Sequence, residues 1–306
     1  MLAGEHAVVY DHCSIVAAVN AHAHMEIEPL SDNTCRIESS LGNYESNIKK
    51  LEDDKRFRFL ISAINSFDLS YGLKLKVYTD FEQKLGLGSS AAVTAAAVAA
   101  LYYLKHREEL NADLLFDYAY RIIYDVQGSG SCADLAASVY GGVLAYRRKP
   151  RRIMPLIQRP SLFACYSGHK VSTTPILVQV NNRLKRKPIR TKRIFNQLDK
   201  SSQSFEIAWT ESNWSICAFE MEQQQKLLTK LGVDSPELIQ ARKKLRSTPG
   251  VLATKLSGAG IGDCVIGIGE AGSNDSLPNC HQLGEDLTQP WKIEIADKGI
   301  ILDVIN

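Results

Sequence analysis

Three short stretches of this chain combine flexible small residues with groups able to bind anions or move protons. In Gly86-Leu-Gly-Ser-Ser-Ala-Ala92 a glycine turn leads directly into an alanine-rich run, Ala91 to Leu104, of high helix propensity. Gly86 and Gly88 let the backbone bend and approach a ligand. Ser89 or Ser90 can cap the helix, leaving amide hydrogens directed outward as an anion cradle. The same turn would serve as the capped start of a buried helix, and these residues alone leave both roles open. Lys84, just ahead of the turn, can add positive charge to such a cradle. In the second stretch, Lys255-Leu-Ser-Gly-Ala-Gly-Ile-Gly-Asp-Cys264, a small-residue loop lies between the apolar runs VLATKL and CVIGIG, and Gly258, Gly260 and Gly262 contribute little bulk. In the third, Gln127-Gly-Ser-Gly-Ser-Cys-Ala-Asp134 enters the helical stretch LAASVY, which ends at Gly141 and Gly142 before the strand-like VLAYRR. Asp134 therefore sits at a loop-to-helix junction, where a carboxylate can cap a helix or act as a general base.

The elements that must hold these stretches are mixed. Leu73 to Phe81 (LKLKVYTDF) alternates apolar and polar residues as a strand with one buried face does. SIVAAVN, HMEIEPL and TCRIESS read as short strands, Arg56 to Phe67 as a helix, and Asn111 as the N-cap of a helix running to about Tyr124. The basic, proline-containing segment Arg147 to Pro160 reads as a boundary. Beyond it come a strand at Leu162 to Tyr166, polar helices from about Thr174 to Leu245, and a final strand pair in TQPWKIEIAD and GIILDV. The pattern predicts an α+β protein of two lobes, divided as 1–150 and 160–306, with an active site in the cleft between them.

A chain of 306 residues can bury a substantial core, and 45% hydrophobic with 23% charged residues is ordinary for a globular protein. The net charge of +2 points to no general polyanion partner, so neither nucleic acid nor a membrane is expected. Charge is nonetheless clustered, at Arg147, Arg148, Lys149, Arg151 and Arg152, and again at Arg183, Lys185, Arg186, Lys187, Arg190, Lys192 and Arg193. These clusters read either as solvated connections or as contacts to a phosphate or diphosphate ligand. Seven cysteines without close pairing suggest neither a zinc site nor a disulfide framework, and a reducing cytoplasm fits them. No signal peptide is read at the start, and Ala91 to Leu104 is too short to span a bilayer.

Together with the N-terminal Gly4-Glu-His-Ala-Val-Val-Tyr10, the glycine-rich stretches resemble the three motifs of the GHMP small-molecule kinases, in order: GEHAVVY, GLGSSAA and KLSGAGIGDC. The likeness spans nearly the whole chain. GEHAVVY and the helical stretch Gln224 to Leu238 resemble the mevalonate-phosphorylating members. Lys84, the run Ser131 to Tyr140 and Gly262-Asp-Cys264 resemble the bacterial phosphomevalonate-phosphorylating ones.

The resemblance implies ATP and Mg²⁺ as cofactors and a small-molecule acceptor, and it allows a homodimer. It implies phosphorylation of mevalonate, with phosphomevalonate as the alternative acceptor and a catalytically impaired binding protein as a third reading. On it, Lys84, Gly86, Leu87, Gly88, Ser89, Ser90, Ala91, Gly258, Ala259 and Gly260 hold the nucleotide. Ser90 is also the metal ligand, Asp134 is the catalytic base and lies with Glu5 and His6 at the acceptor, and Ser167 to Thr174 lies near the substrate. Two features depart from the pattern. The family's Pro-Gly-Lys segment, normally just ahead of the first motif, is not found before Gly4-Glu-His in this sequence. Where mevalonate-type members carry a magnesium-binding glutamate, eleven residues before the aspartate, this chain has Ile123, with Asp125 a weak substitute.

Overall fold

The computed structural model describes residues 1–128, 130–273, 276–284 and 286–304. In chain order its strands and helices are β1 (Ser14–Ala17), β2 (Ala23–Leu30), β3 (Thr34–Ser39), β4 (Gly42–Asn47), α1 (Arg58–Phe67), β5 (Gly72–Thr79), α2 (Ser89–His106), α3 (Ala112–Gln127), α4 (Ala133–Tyr140), β6 (Val143–Arg147) and β7 (Arg152–Leu156). There follow β8 (Ser161–Tyr166), α5 (Thr173–Arg186), α6 (Pro188–Thr210), α7 (Trp214–Leu231), α8 (Pro236–Arg246), β9 (Val251–Leu256), β10 (Cys264–Gly269) and β11 (Trp291–Ile293). The α+β class read from the sequence is the class observed.

Two compact units interleave along the chain. The first is built from Met1–Asn20, Phe81–Leu87 and Gly142–Asp297; the second from Ala21–Asp80, Gly88–Gly141 and the stretch from Lys298 onward. The sequence-read division into 1–150 and 160–306 runs along the chain, whereas these units exchange segments. The basic segment expected as a boundary lies inside the first unit, because β7 pairs antiparallel with β6 across it, Arg147 opposite Arg152.

In the second unit the sheet order is β2-β5-β3-β4, with β3 and β5 parallel and the other pairs antiparallel. Its two faces follow the period-two alternation. Leu73, Leu75, Val77, Cys35 and Ile37 are buried, while on the opposite face Lys74 pairs with Glu38 at 3.3 Å and Lys76 with Glu26 at 3.7 Å. The alanine-rich α2 packs against α1, α3 and α4; Ala91, Ala95, Ala97 and Ala100 are buried, and their small side chains allow that close packing. Asn111 caps α3 as expected, accepting from the Leu114 amide at 2.9 Å.

In the first unit β11-β8-β10-β9 form a sheet on which α7 and α8 pack, and β1-β6-β7 form a second. Phe163, Cys165, Leu198, Leu228, Leu238, Leu245 and Val265 anchor its core. The expected terminal strand pair is not formed: only Trp291–Ile293 is a strand, and residues 299–304 have no regular structure. Gly299 instead lies so close to the end of α4 that a Cβ there would meet the Val139 carbonyl at 2.0 Å. Backbone packing against a helix takes the place of a ladder. The sequence pattern does not predict β4, because GNYESN is polar and buries only Tyr44.

Candidate active site

The second unit carries the phosphate turn's helix and the candidate base. Gly88 is the N-cap of α2, held at φ 80° and ψ 26°, and no side chain caps the helix. A serine cap needs extended backbone at the capping position. Here that position is a left-handed glycine, so Ser89 and Ser90 begin the helix and neither hydroxyl caps it. Ser90 is exposed, its carbonyl engaged by the Thr94 hydroxyl at 2.7 Å. The start of α2 therefore presents an uncapped positive helix end, which suits an anion.

Asp134 is brought to this turn. A Cβ added at Gly88 would lie 3.3 Å from the Asp134 Cβ, a tight contact at a left-handed position that favours glycine. Asp134 is not a cap either: the N-cap of α4 is Cys132, at φ 55°, and Asp134 is the second helical residue, its Oδ1 accepting from the Leu135 amide at 3.0 Å. Its side chain is open to water, yet the protein around it limits hydration enough to raise the carboxyl pKa, against the opposing effect of the Leu135 amide. Ile123 is buried in α3 and Asp125 is exposed. Two positions apart on a helix, they point about 200° apart, so Asp125 cannot take over the direction of Ile123.

The first unit carries the other two motifs. Glu5 and His6 are almost completely buried, 1% and 4% exposed, and His6 adopts φ 61°. Glu5 Oε1 pairs with the fully buried Lys255, whose Nζ also donates to the Leu256 carbonyl at 2.7 Å. His6 Nε2 lies 2.8 Å from the Ala259 carbonyl, so the first motif touches the loop of the third. Burial lowers the pKa of both His6 and Lys255, and the Glu5 carboxylate opposes the shift on each. Glu5 Oε2 and His6 Nδ1 are buried without a hydrogen-bond partner among the described residues. Two orphaned polar atoms in one motif are costly in an apolar interior, and a polar ligand would satisfy them.

Gly258 and Gly260 are both left-handed, but a Cβ at Gly258 meets nothing within 4 Å while one at Gly260 would meet the Val233 carbonyl at 2.2 Å. Gly258 thus has open space and Gly260 a packing constraint. Asp263, at φ 62°, lies against Gly86: a Cβ there would come within 2.9 Å of its Cγ. Burial raises the Asp263 pKa, with Lys170 opposing. The segment beginning at Ser167 packs on the third motif, since the Asp263 amide donates to the His169 carbonyl at 2.8 Å and the Ser167 amide to the Asp263 carbonyl at 2.9 Å. Lys84 is exposed.

Lys255 and Asp263 received no role from sequence reasoning, although a lysine in the otherwise apolar VLATKL signals a buried charge needing a partner. GLGSSAA crosses from one unit to the other by its own chain, Leu87 ending a segment of the first and Gly88 opening one of the second.

The two basic clusters differ. In the first, Arg148 pairs with Asp11 at 2.7 Å, Arg152 with Glu206 at 2.5 Å and Arg147 with Asp199 at 3.9 Å, so its charge is largely met from within the protein. In the second, Lys185, Arg186, Lys187, Arg190, Lys192 and Arg193 are exposed around the junction of α5 and α6, and Arg183 donates to the Lys230 carbonyl at 2.6 Å. All seven cysteines are buried and free. Among the described residues no three His, Cys, Asp or Glu side chains form a metal-holding group, and no helix is long and apolar enough to cross a membrane.

Comparison with known proteins identifies the family and the fold. The GHMP kinases N terminal domain model matches residues 56–142, and the GHMP kinases C terminal model matches residues 211–277. A mevalonate kinase of Archaeoglobus fulgidus is 29% identical over 272 residues, covering 88% of this chain and 89% of the relative. In fold, the chain is similar to L. major mevalonate kinase in complex with R-mevalonate, at a TM-score of 0.73 and 23% identity over 90% of this chain and 85% of that one. It is also similar to Streptococcus pneumoniae phosphomevalonate kinase in complex with phosphomevalonate and AMPPNP, at a TM-score of 0.75 and 18% identity over 88% and 89% of the two chains. With its three motifs in order and both family models matched, the chain belongs to the GHMP kinases.

Proposed function

We propose that this protein transfers the γ-phosphoryl group of ATP to the terminal hydroxyl of mevalonate. The observation that carries the reading is the pairing of Asp134 with Gly88: a solvent-reachable carboxylate of raised pKa beside an uncapped helix N-terminus. Phosphoryl transfer asks for a held triphosphate, neutralised charge and an aligned acceptor, and little covalent chemistry from the protein. The α2 amides and Lys84 would receive phosphate oxygens. Gly258, Ala259 and Gly260 would let backbone approach them on the third motif. Asp134 accepts the proton of the acceptor hydroxyl as its oxygen bonds to phosphorus, while the bond from that phosphorus to the ADP oxygen breaks. A raised pKa brings the carboxylate closer to the operating pH and makes it a better base. Glu5 and His6, with their orphaned Oε2 and Nδ1, would meet the acceptor's polar groups.

Magnesium fits the donor set in a limited way. The Ser90 hydroxyl is exposed and engaged in no cap, and Mg²⁺ usually keeps several waters and takes its remaining ligands from substrate phosphates and one or two side chains. When bound it would neutralise charge on the triphosphate. The assignment includes N- and C-terminal kinase domains at 1–150 and 160–306 and a cytoplasmic location.

Mevalonate is favoured over phosphomevalonate by the relatives named mevalonate kinase and by the state of the first basic cluster. An additional phosphate dianion calls for available Arg or Lys donors, and Arg147, Arg148 and Arg152 are already engaged by carboxylates. Assaying both acceptors with one preparation and MgATP tests the proposal. A higher kcat/KM for mevalonate is expected. Preference for phosphomevalonate would reassign the acceptor, and ATP binding without turnover of either would make this an impaired member of the fold.

A further inference from the structure

Two consecutive glutamines on α7 have no surface role. Gln224 is completely buried and Gln225 is 6% exposed. Gln224 Oε1 accepts from the Gly4 amide at 2.8 Å, and its Nε2 donates to the Ser202 hydroxyl at 3.1 Å. Gln225 Oε1 accepts from the Leu256 amide at 2.8 Å, and its Nε2 donates to Asp234 at 3.0 Å and Thr229 at 3.1 Å. Asp234 is held in turn by Arg242 at 2.7 Å. Past the left-handed cap Gly232, the Val233 carbonyl accepts from the Ile261 amide at 2.9 Å and packs against Gly260. One helix and its C-terminal turn thus hold Gly4 in the first motif and both flanks, Leu256 and Ile261, of the third motif's glycine loop.

We infer that Gln224 and Gln225 are positioning residues of the active site, with Lys255 as the cross-piece between the motifs they hold. Gly4, at φ 90°, precedes Glu5 and His6, whose Oε2 and Nδ1 have no hydrogen-bond partner among the described residues. Without Gln224, the Gly4 amide loses its acceptor, and the turn from Gly4 to His6, with positive φ at both of those residues, loses its anchor. Without Gln225, the ladder end leading into Gly258 is released. Buried amide side chains suit this task because each can accept from backbone and donate to a second group, so both ends are fixed without burying a charge. A hydrophobic residue of similar size would fill the volume but leave the backbone amide unmet. Positioning errors of about 1 Å cost on the order of a hundredfold in rate, so the effect is read in kinetics more than in packing.

The inference rests on the kinase reading, and its test separates the two. Gln224→Met is expected to raise the acceptor KM about tenfold or more while leaving the KM for ATP near the wild-type value. Gln224→Glu, which keeps an oxygen for the Gly4 amide, should recover part of that loss. In a His6→Ala background, Gln224→Met should add little, since both act through the first motif. An unchanged acceptor KM in a folded Gln224→Met variant, or losses that multiply independently in the double variant, would overturn the inference. Hydrogen exchange of the unmodified protein needs neither turnover nor a variant. Slow exchange at Gly4 and Leu256, matching the slowest amides of α7, is expected. Rapid exchange there would overturn the inference even if mevalonate is phosphorylated, and protection would sustain the two anchors even if it is not.

Discussion

Two regions carry the motifs and are built on opposite principles. Around Gly88, Ser90 and Asp134, the second unit leaves polar groups unengaged: an uncapped helix end, an exposed hydroxyl and a carboxylate open to water. Around Glu5, His6 and Lys255, the first unit buries its polar groups and ties the motifs by side-chain bonds to backbone and side-chain atoms distant in sequence. Groups that must change partner during a reaction are better kept free. Groups that hold a shape are better tied down, since a loose buried polar network destabilises the fold, and in this region Glu5 Oε2 and His6 Nδ1 are the exceptions left for a ligand. Changes in the first region should therefore alter chemistry at little cost to stability, and changes in the second should alter both.

The change most damaging to stability is expected in the buried region. Gly260→Ala forces a left-handed non-glycine residue and a collision with the Val233 carbonyl, and should cost about 2 to 4 kcal/mol in denaturant titration. Gly258→Ala meets open space and should cost only about 1 to 2 kcal/mol. Equal costs at the two glycines would remove the packing distinction between them. In the open region, Ser90→Ala should leave the melting temperature unchanged and lower ATP-dependent turnover on the order of tenfold. A large loss of stability with normal turnover would reverse the contrast. Away from both regions, Arg152→Ala should cost about 1 kcal/mol or less and leave acceptor preference intact, because this arginine serves Glu206. A switch of acceptor in that variant would restore the first basic cluster as a ligand site.

The smallest effect concerns pH. The folded-state pKa of Asp134 is raised, so folding holds that proton to higher pH than the unfolded chain does. The associated stability is complete below the unfolded carboxyl pKa and is lost as pH rises through the folded pKa. Asp134→Asn cannot ionise and escapes that loss. Thermal melts between about pH 4 and pH 8 should show the variant gaining on the unmodified protein as pH rises. A gap that widens in the opposite direction would contradict the raised pKa.

Much of this was legible in the sequence where local rules govern. Alternation in LKLKVYTDF, the Asn111 cap and the glycine turn before α2 each act over a few residues and appear as read. What escaped depends on distant partners. Nothing near Lys255 or Gln224 announces Glu5 or Gly4, some 250 and 220 residues away. The arginines of the first basic cluster look available until Asp11, Asp199 and Glu206 fold against them. The serines of GLGSS have the composition of caps, yet the left-handed Gly88 occupies the capping position itself. The C-terminal GIILDV has the composition of a strand, but among the described residues it pairs with no strand.

The contrast between an open reacting region and a buried holding region is tested most directly at Asp134. In Asp134→Asn the amide keeps the size of the side chain and an oxygen for the Leu135 amide, but cannot take a proton as a base. Turnover of mevalonate and the melting temperature should be measured on the same preparation at neutral pH. Turnover is expected to fall on the order of a hundredfold or more, with a melting temperature equal to or above that of the unmodified protein. Retained turnover with a lowered melting temperature would contradict the account, making Asp134 part of the scaffold and leaving the proton to another group.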